Sequence, residues 1–489
     1  MLEWSKLLLE KRFREKETVA RTESDKRSAF KKDFDTVCNS TILRRLQDKA
    51  QVFPLESEDY ARTRLTHSIE VMSIAESLGV QTSGIILELE NDLDDETKKR
   101  INDIPHILKT AALLHDMGNP PFGHLGERII GDWFKENLGN LAFNSDKQLV
   151  FNTSAEAKET LEYILKGVHA EDLKHFEGNA QLFRLVTKLS LVVDEHGMNL
   201  SFPVLATFIK YPTSSLNINK NNLKTKKMGY FNSEKDLYDE INDSLGLEGT
   251  RHPLAYLLEA ADDIAYLTAD IEDAHKKRLI SMRQIKEYLE EKQSDMIVGK
   301  VLAAFDSYEK QAKDMKYEDI EDYVIHRIRV LIKGLMIDSM NEAFKKSYNS
   351  IMDGTFDNEL INISTVDCIA KVLRKIEKEN IYYCNNILEN KTRATAVITK
   401  LLETYVPAVV NWDEYKDKDT DSSNNLLYLS LSKNYRHMCN LANNKLKGLD
   451  KLDVKRETMI YNKILLVTDQ ISGMTDTHAL TVYRTIIAN

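Results

Sequence analysis

The chain has 489 residues, 42% hydrophobic and 29% charged, which is ample for a sizeable core and marks a globular protein. Its formal charge of −10 excludes a general nucleic-acid coat and leaves any such contact to a local basic patch. Cys38, Cys368, Cys384 and Cys439 lack CxxC spacing, the N-terminus MLEWSKLLLEKRFREKE has no signal-peptide pattern, and no apolar run approaches the ~20 residues of a membrane span, so a reducing, cytoplasmic setting is expected.

Only 8 prolines and 18 glycines occur, and long stretches of i, i+3, i+4 apolar spacing predict a mostly helical chain. STILRRLQDKAQVFPLE (40–56) starts helical and turns extended at Val52-Phe53 before Pro54. RTRLTHSIEVMSIAESLG (62–79) predicts an amphipathic helix with Ile69, Met72, Ile74, Ala75 and Leu78 inward and Gly79 as its stop. IPHILKTAALLHDMG (104–118) predicts the next helix, which Gly118 and the following Asn-Pro-Pro end, with His115-Asp116 in its last turn. GERIIGDWFKENLG and AQLFRLVTKLSLV follow as helices, and the polar, Asn/Lys-rich residues 212–235 predict a mobile loop. HPLAYLLEAADDIAYLTADIEDAH (252–275) is strongly helix-periodic. From about 285 onward charged amphipathic helices succeed one another, with Gly354 and DKDTDSSNN (417–425) as connections. The expected architecture is all-α: a catalytic core over 1–285 and a helical C-terminal region over 286–489 that packs on it.

The chemistry concentrates in LLHDMGNPPFGHLGE (113–127), where two histidines and two carboxylates flank a helix break. Neutral imidazole plus carboxylate suits a borderline or hard divalent cation. His67, the His115-Asp116 pair and Asp262 supply four such groups from three predicted helices. A His-Asp pair alone more often marks a frayed helix end, but the order H…HD…D resembles the signature of the HD phosphohydrolase superfamily. Asp262, Tyr266 and Asp270, spaced i, i+4, i+8, share one helix face beside the apolar Leu258, Ala261, Ile264 and Leu267. A carboxylate on that margin needs a partner, either a metal or an arginine.

A closer resemblance covers six ordered motifs. RTRLTHS (62–68), HDMGNPPFGHLGE (115–127), FEGNAQLFR (176–184), KYP (210–212), EAADDIAY (259–266) and SGMTD (472–476) together resemble the bacterial deoxyguanosinetriphosphate triphosphohydrolases. The resemblance begins near residue 27 and is dense to about 280 and again at 466–484. It implies an HD-domain helical core, a divalent metal (Mg2+ or Mn2+), a homo-oligomer, commonly a hexamer, and cleavage of a dNTP at the α-phosphorus into deoxynucleoside and inorganic triphosphate, controlling dNTP pools. Carried over by position, it implies His67, His115, Asp116 and Asp262 as metal ligands and His124 with Glu127 as the catalytic pair. It further implies Arg64, Asn179, Lys210 and Tyr211 as phosphate contacts, Tyr266 under the deoxyribose, and Gln51 with Asp270 at the 3′-hydroxyl. His124 reads equally as base, acid or nucleophile, and Tyr266 equally as core packing. Lys226, Lys227 and Lys235 are further cations in the polar loop.

Some members of that family bind single-stranded DNA as an activator; HRIRVLIKG (326–334) and KNYRHM (433–438) are the basic stretches for it, or else solvated helix faces. The chain departs from the expected pattern at Thr477, where an arginine is expected. Three other functions fit the same residues: a broader-specificity dNTP triphosphohydrolase, an HD-domain nucleotide phosphatase or phosphodiesterase, and a nucleotide sensor without turnover.

Overall fold

The computed structural model describes residues 1–14, 25–52, 62–151, 159–191, 194–381, 385–414 and 420–488. Helices dominate, as the apolar periodicity predicts; the strands among the described residues are Leu141–Phe143 and Leu149–Phe151, one antiparallel hairpin in the register Leu141↔Phe151. Among the described residues no helix is long and apolar enough to cross a membrane. Cys38, Cys368 and Cys439 are free thiols, and Cys384 lies outside the described residues.

The site is held by three helices whose apolar faces meet. The Arg64–Leu89 helix starts on a capping box, in which Thr63 and Thr66 satisfy each other's backbone N–H groups. It buries Val71, Ile74, Ala75 and Leu78, while Ile69, expected inward, is 46% exposed. Ile69 lies about 200° around the helix from Val71, off the stripe that the other four residues define. Gly79 does not stop this helix, which runs on to Leu89. Its role is contact: a Cβ there would sit 2.9 Å from the Cα of Pro105, so the glycine lets the Ile104–Leu114 helix approach.

The Ile104–Leu114 helix ends four residues before Gly118, so His115 is its C-cap and Asp116 lies in the following turn rather than in the helix's last turn; the His115 amide closes the final hydrogen bond on Ala111 O at 3.0 Å. The chain then turns through Phe122 (φ 64°) and Gly123 (φ 60°), both left-handed, before the Gly123–Asn137 helix begins. The Pro253–Lys276 helix, capped by His252, packs on both the Arg64–Leu89 helix and the 33-residue helix Ile320–Met352. Hence one hydrophobic cluster runs from Leu2 to Ala479 across residue 285. Residues 212–235 are irregular, as expected, but Met228, Tyr230 and Phe231 bury their side chains and Arg251 Nη2 donates to Leu223 O. Phe53 and Pro54 lie outside the described residues, as do 417–419 of the second expected connection.

Candidate metal centre and nucleotide cavity

His67, His115 and Asp116 converge from the first two helices, with ligand atoms within 4.8 Å of one another. The Pro253–Lys276 helix adds Asp262, whose Oδ1 lies 3.0 Å from His67 Nε2 and 3.6 Å from His115 Nε2. Among the described residues no arginine pairs with Asp262. His115 Nδ1 bonds Ala112 O at 2.6 Å, which places its proton on Nδ1 and its lone pair on Nε2. That Nε2 is buried and has no hydrogen-bond partner among the described residues. An orphaned imidazole lone pair beside two carboxylates is the donor set a divalent cation satisfies, so the residues present fit one.

Charge around the centre agrees. Burial pushes the Asp116 carboxyl up, but Arg64, His115 and His67 overcome it and hold the group well below the usual carboxylate range. Burial likewise opposes ionisation of Asp262, and His115 and His67 bring it down to about 2. Both groups are therefore anionic at neutral pH. Arg64 Nη1 donates to Asp116 Oδ2 at 2.7 Å and fixes it from the side, while Asn119 Nδ2 donates to Oδ1 at 2.5 Å.

The turn after His115-Asp116 brings a second couple alongside. His124 Nδ1 lies 3.0 Å from Glu127 Oε2, and Glu127 Oε1 accepts the Gly178 N–H at 3.2 Å. The Glu127 carboxylate raises the basicity of the His124 ring. Burial disfavours the Glu127 anion, yet the adjacent His124 lowers its pKa below the ordinary value. Glu127 is buried, whereas the His124 side chain is 73% exposed, so the imidazole presents a free edge to the cavity.

That cavity, about 520 Å³, is lined by Gln51, Arg64, His67, Asp116, His124 and Asp262 near the centre and by Tyr266, Asp270, Arg374, Glu377 and Asn390 at its other end. The Asp262, Tyr266, Asp270 face therefore opens into one space. Gln51 Oε1 is buried there without a partner among the described residues. Burial drives Asp270 far above the carboxylate range, with Glu377 and Asp273 adding to it. Glu377, pushed up to about 8 chiefly by burial, also has an orphaned oxygen, Oε1. Arg374 Nε lies 3.4 Å from the Tyr266 hydroxyl.

The remaining phosphate candidates gather elsewhere. Lys210 Nζ pairs with Glu259 at 2.7 Å, and the buried Tyr211 ring lies under Lys210, Lys226 and Arg251. Asn179 Nδ2 donates to Glu177 Oε1 at 2.8 Å, and Lys227 Nζ donates to Glu177 Oε2 at 2.7 Å. None of these lines the first cavity.

Residues that the sequence reading did not single out hold the floor of the site. Lys49, buried, donates to Asn119 O at 2.6 Å and Ser472 O at 2.8 Å; burial lowers its pKa to about 7 against the support of Asp476. Asp476, of the SGMTD motif, accepts the N–H groups of Ala50 (3.0 Å) and Phe122 (2.9 Å). Thr477, where an arginine was expected, bonds Asp48 at 2.8 Å. Arg374, Glu377 and Asn390 lacked any signal in the sequence, because their helices carry only ordinary apolar periodicity.

A divalent-cation donor set of the H…HD…D type on an all-helical scaffold defines a metal-dependent phosphohydrolase of the HD class. The HD-domain family model matches residues 64–176, which include every residue of the centre except Asp262. A deoxyguanosinetriphosphate triphosphohydrolase-like protein of Listeria monocytogenes is 41% identical over 487 residues, covering 99% of each chain. A deoxyguanosinetriphosphate triphosphohydrolase of Yersinia enterocolitica is 28% identical, covering 97% of this chain and 96% of its own. A like protein of Synechocystis is 29% identical over 99% of this chain and 98% of its own. The chain belongs to this dGTPase family of HD-domain proteins.

Proposed function

We propose that the protein is a dGTP triphosphohydrolase that converts dGTP and water into deoxyguanosine and inorganic triphosphate. The observation that carries this is the single cavity lined by His67, Asp116 and Asp262 of the ligand cluster, by His124, and by the Tyr266 face. His67, His115, Asp116 and Asp262 would hold Mg2+ or Mn2+. When bound, the ion polarises a phosphoryl oxygen and neutralises charge at the scissile phosphorus.

The chain's own groups do the rest. Glu127, itself anchored by the Gly178 N–H, keeps the His124 proton on Nδ1 and leaves Nε2 to exchange a proton at the cavity. Arg64 offers its guanidinium to phosphate oxygens beside Asp116. Tyr266 packs under the deoxyribose, and the unpartnered Gln51 Oε1 and the neutral Asp270 meet the 3′-hydroxyl. Beyond them, Arg374 and Glu377 pair a donor with an acceptor at the end where the base lies. Guanine presents acceptors at O6 and N7 and donors on its opposite edge, which such a pair matches.

The region after 285 supplies Arg374, Glu377 and Asn390 to the cavity, so it completes the nucleotide site as well as offering surface for a homo-oligomer, for which the family resemblance suggests a hexamer. Single-stranded DNA as an activator draws less support: Arg329 of the basic stretch is committed to Glu70 and Glu272. The test is incubation with each of the four dNTPs plus Mn2+ or Mg2+, with products resolved by chromatography. Intact inorganic triphosphate with deoxyguanosine is expected. Stepwise release of orthophosphate or pyrophosphate would overturn the reading, and equal turnover of all four dNTPs would replace it by the broader-specificity enzyme.

A further inference from the structure

A second cavity, about 430 Å³, meets the first at His124 and continues past Glu127. Six cations line it: Arg128, Lys135, Lys174, Lys220, Lys226 and Lys227. Its carboxylates are Glu127, Asp132 and Glu177, half as many. Lys227 is paired to Glu177, Lys135 to Asp132, Lys174 to Glu162 and Glu171, and Lys226 to Glu359. Arg128 and Lys220 differ: both are exposed, and among the described residues no carboxylate lies within salt-bridge distance of either. The excess of cations draws a polyanion released at His124 toward this second chamber.

We propose that this basic chamber is a binding site for a linear polyphosphate anion, and that inorganic triphosphate is held there and leaves through it. The identity of that anion as product rests on the triphosphohydrolase reading above. The site separates the two products by charge: the neutral nucleoside gains nothing from the cations, while the triphosphate moves along Lys227 and Lys226 to the rim formed by Arg128 and Lys220. Four of the six cations already have partners, so the chamber tolerates being empty, and the two unpaired rim cations supply the net attraction.

The test is calorimetric titration of inorganic triphosphate, with orthophosphate in parallel, into the full-length protein in metal-free, low-salt buffer. The wild type is compared with the double variant Arg128→Glu/Lys220→Glu and the milder Arg128→Gln/Lys220→Gln, each with its unfolding midpoint measured as a folding control. Tighter binding of triphosphate than orthophosphate, and a loss of about tenfold or more for triphosphate in the charge-reversed variant, are expected. Unchanged triphosphate affinity in both variants would overturn the site. So would loss of binding to an oligothymidylate alone, which would make the chamber a nucleic-acid contact. Because the titration needs no turnover, the two readings fail separately. Wild-type dNTP hydrolysis with variant-independent binding removes only the chamber; variant-dependent binding in a protein that cleaves no dNTP leaves a polyphosphate site and removes only the activity.

Discussion

Replacing Asp476 by asparagine is expected to loosen the catalytic turn out of proportion to the size of the change. The carboxylate is 2% exposed and accepts two backbone N–H groups, Ala50 on Oδ2 and Phe122 on Oδ1. Asparagine keeps the shape but offers one oxygen, so its amide NH2 must face one of those donors. An unsatisfied buried donor costs about 1–3 kcal/mol, and the buried Lys49 loses its counter-charge as well, so about 3 kcal/mol is expected. Spread over 489 residues, with an unfolding entropy near 2 cal/mol/K per residue, this moves Tm by only roughly 3 °C. Locally the same energy raises opening about 150-fold at 1.4 kcal/mol per decade. Hydrogen–deuterium exchange of peptides containing Ala50 and Phe122 reads it directly, alongside turnover. Wild-type exchange at both sites, whatever happens to activity, would refute the idea that Asp476 holds the turn through these two bonds.

Four further outcomes are expected. Asp116→Ala abolishes metal-dependent hydrolysis and removes bound metal, whereas Glu127→Ala lowers turnover by a factor of about 10²–10⁴ yet keeps metal content; equal metal loss by atomic absorption would contradict the division of roles. dGTP is cleaved far faster than GTP, and a comparable kcat/KM for the two would undo the placing of Tyr266 under the sugar. Gly123→Ala, at φ 60° and with its Cβ 2.0 Å from Arg64 Nη2, displaces that guanidinium and raises KM for the nucleotide at least tenfold; an unchanged KM would show that Arg64 is not a phosphate contact. Burial lowers the His252 pKa to about 4, with its ring accepting the Leu254 N–H and facing Leu7 O. Its contribution to stability is full above about 6.5 and is lost as pH falls toward 4, on the order of 3 kcal/mol. His252→Ser, which still caps the helix, flattens the acid limb of a urea-midpoint-against-pH curve, and an unaltered limb would refute the assignment.

Much of the helical framework was legible in the amino-acid order because it is a local property. The 3.6-residue spacing of Ile74, Ala75 and Leu78, and the Gly-Asn-Pro-Pro break after His115-Asp116, act through neighbours in sequence. The candidate ligands were legible too, since imidazole and carboxylate at those intervals belong to a recurrent pattern. Gly79 misled because a glycine permits either a helix stop or a close helix crossing, and only the position of Pro105 selects between them. The same holds for the Lys49–Asp476 clasp, whose partners are more than 400 residues apart. Arg374 and Glu377 become cavity residues only because long-range packing carries their helices to the open end of the site. Which cations stay unpaired beside His124 was likewise decided in three dimensions, since a lysine's partner depends on every element packed around it, and sequence spacing constrains only the nearest turn of helix.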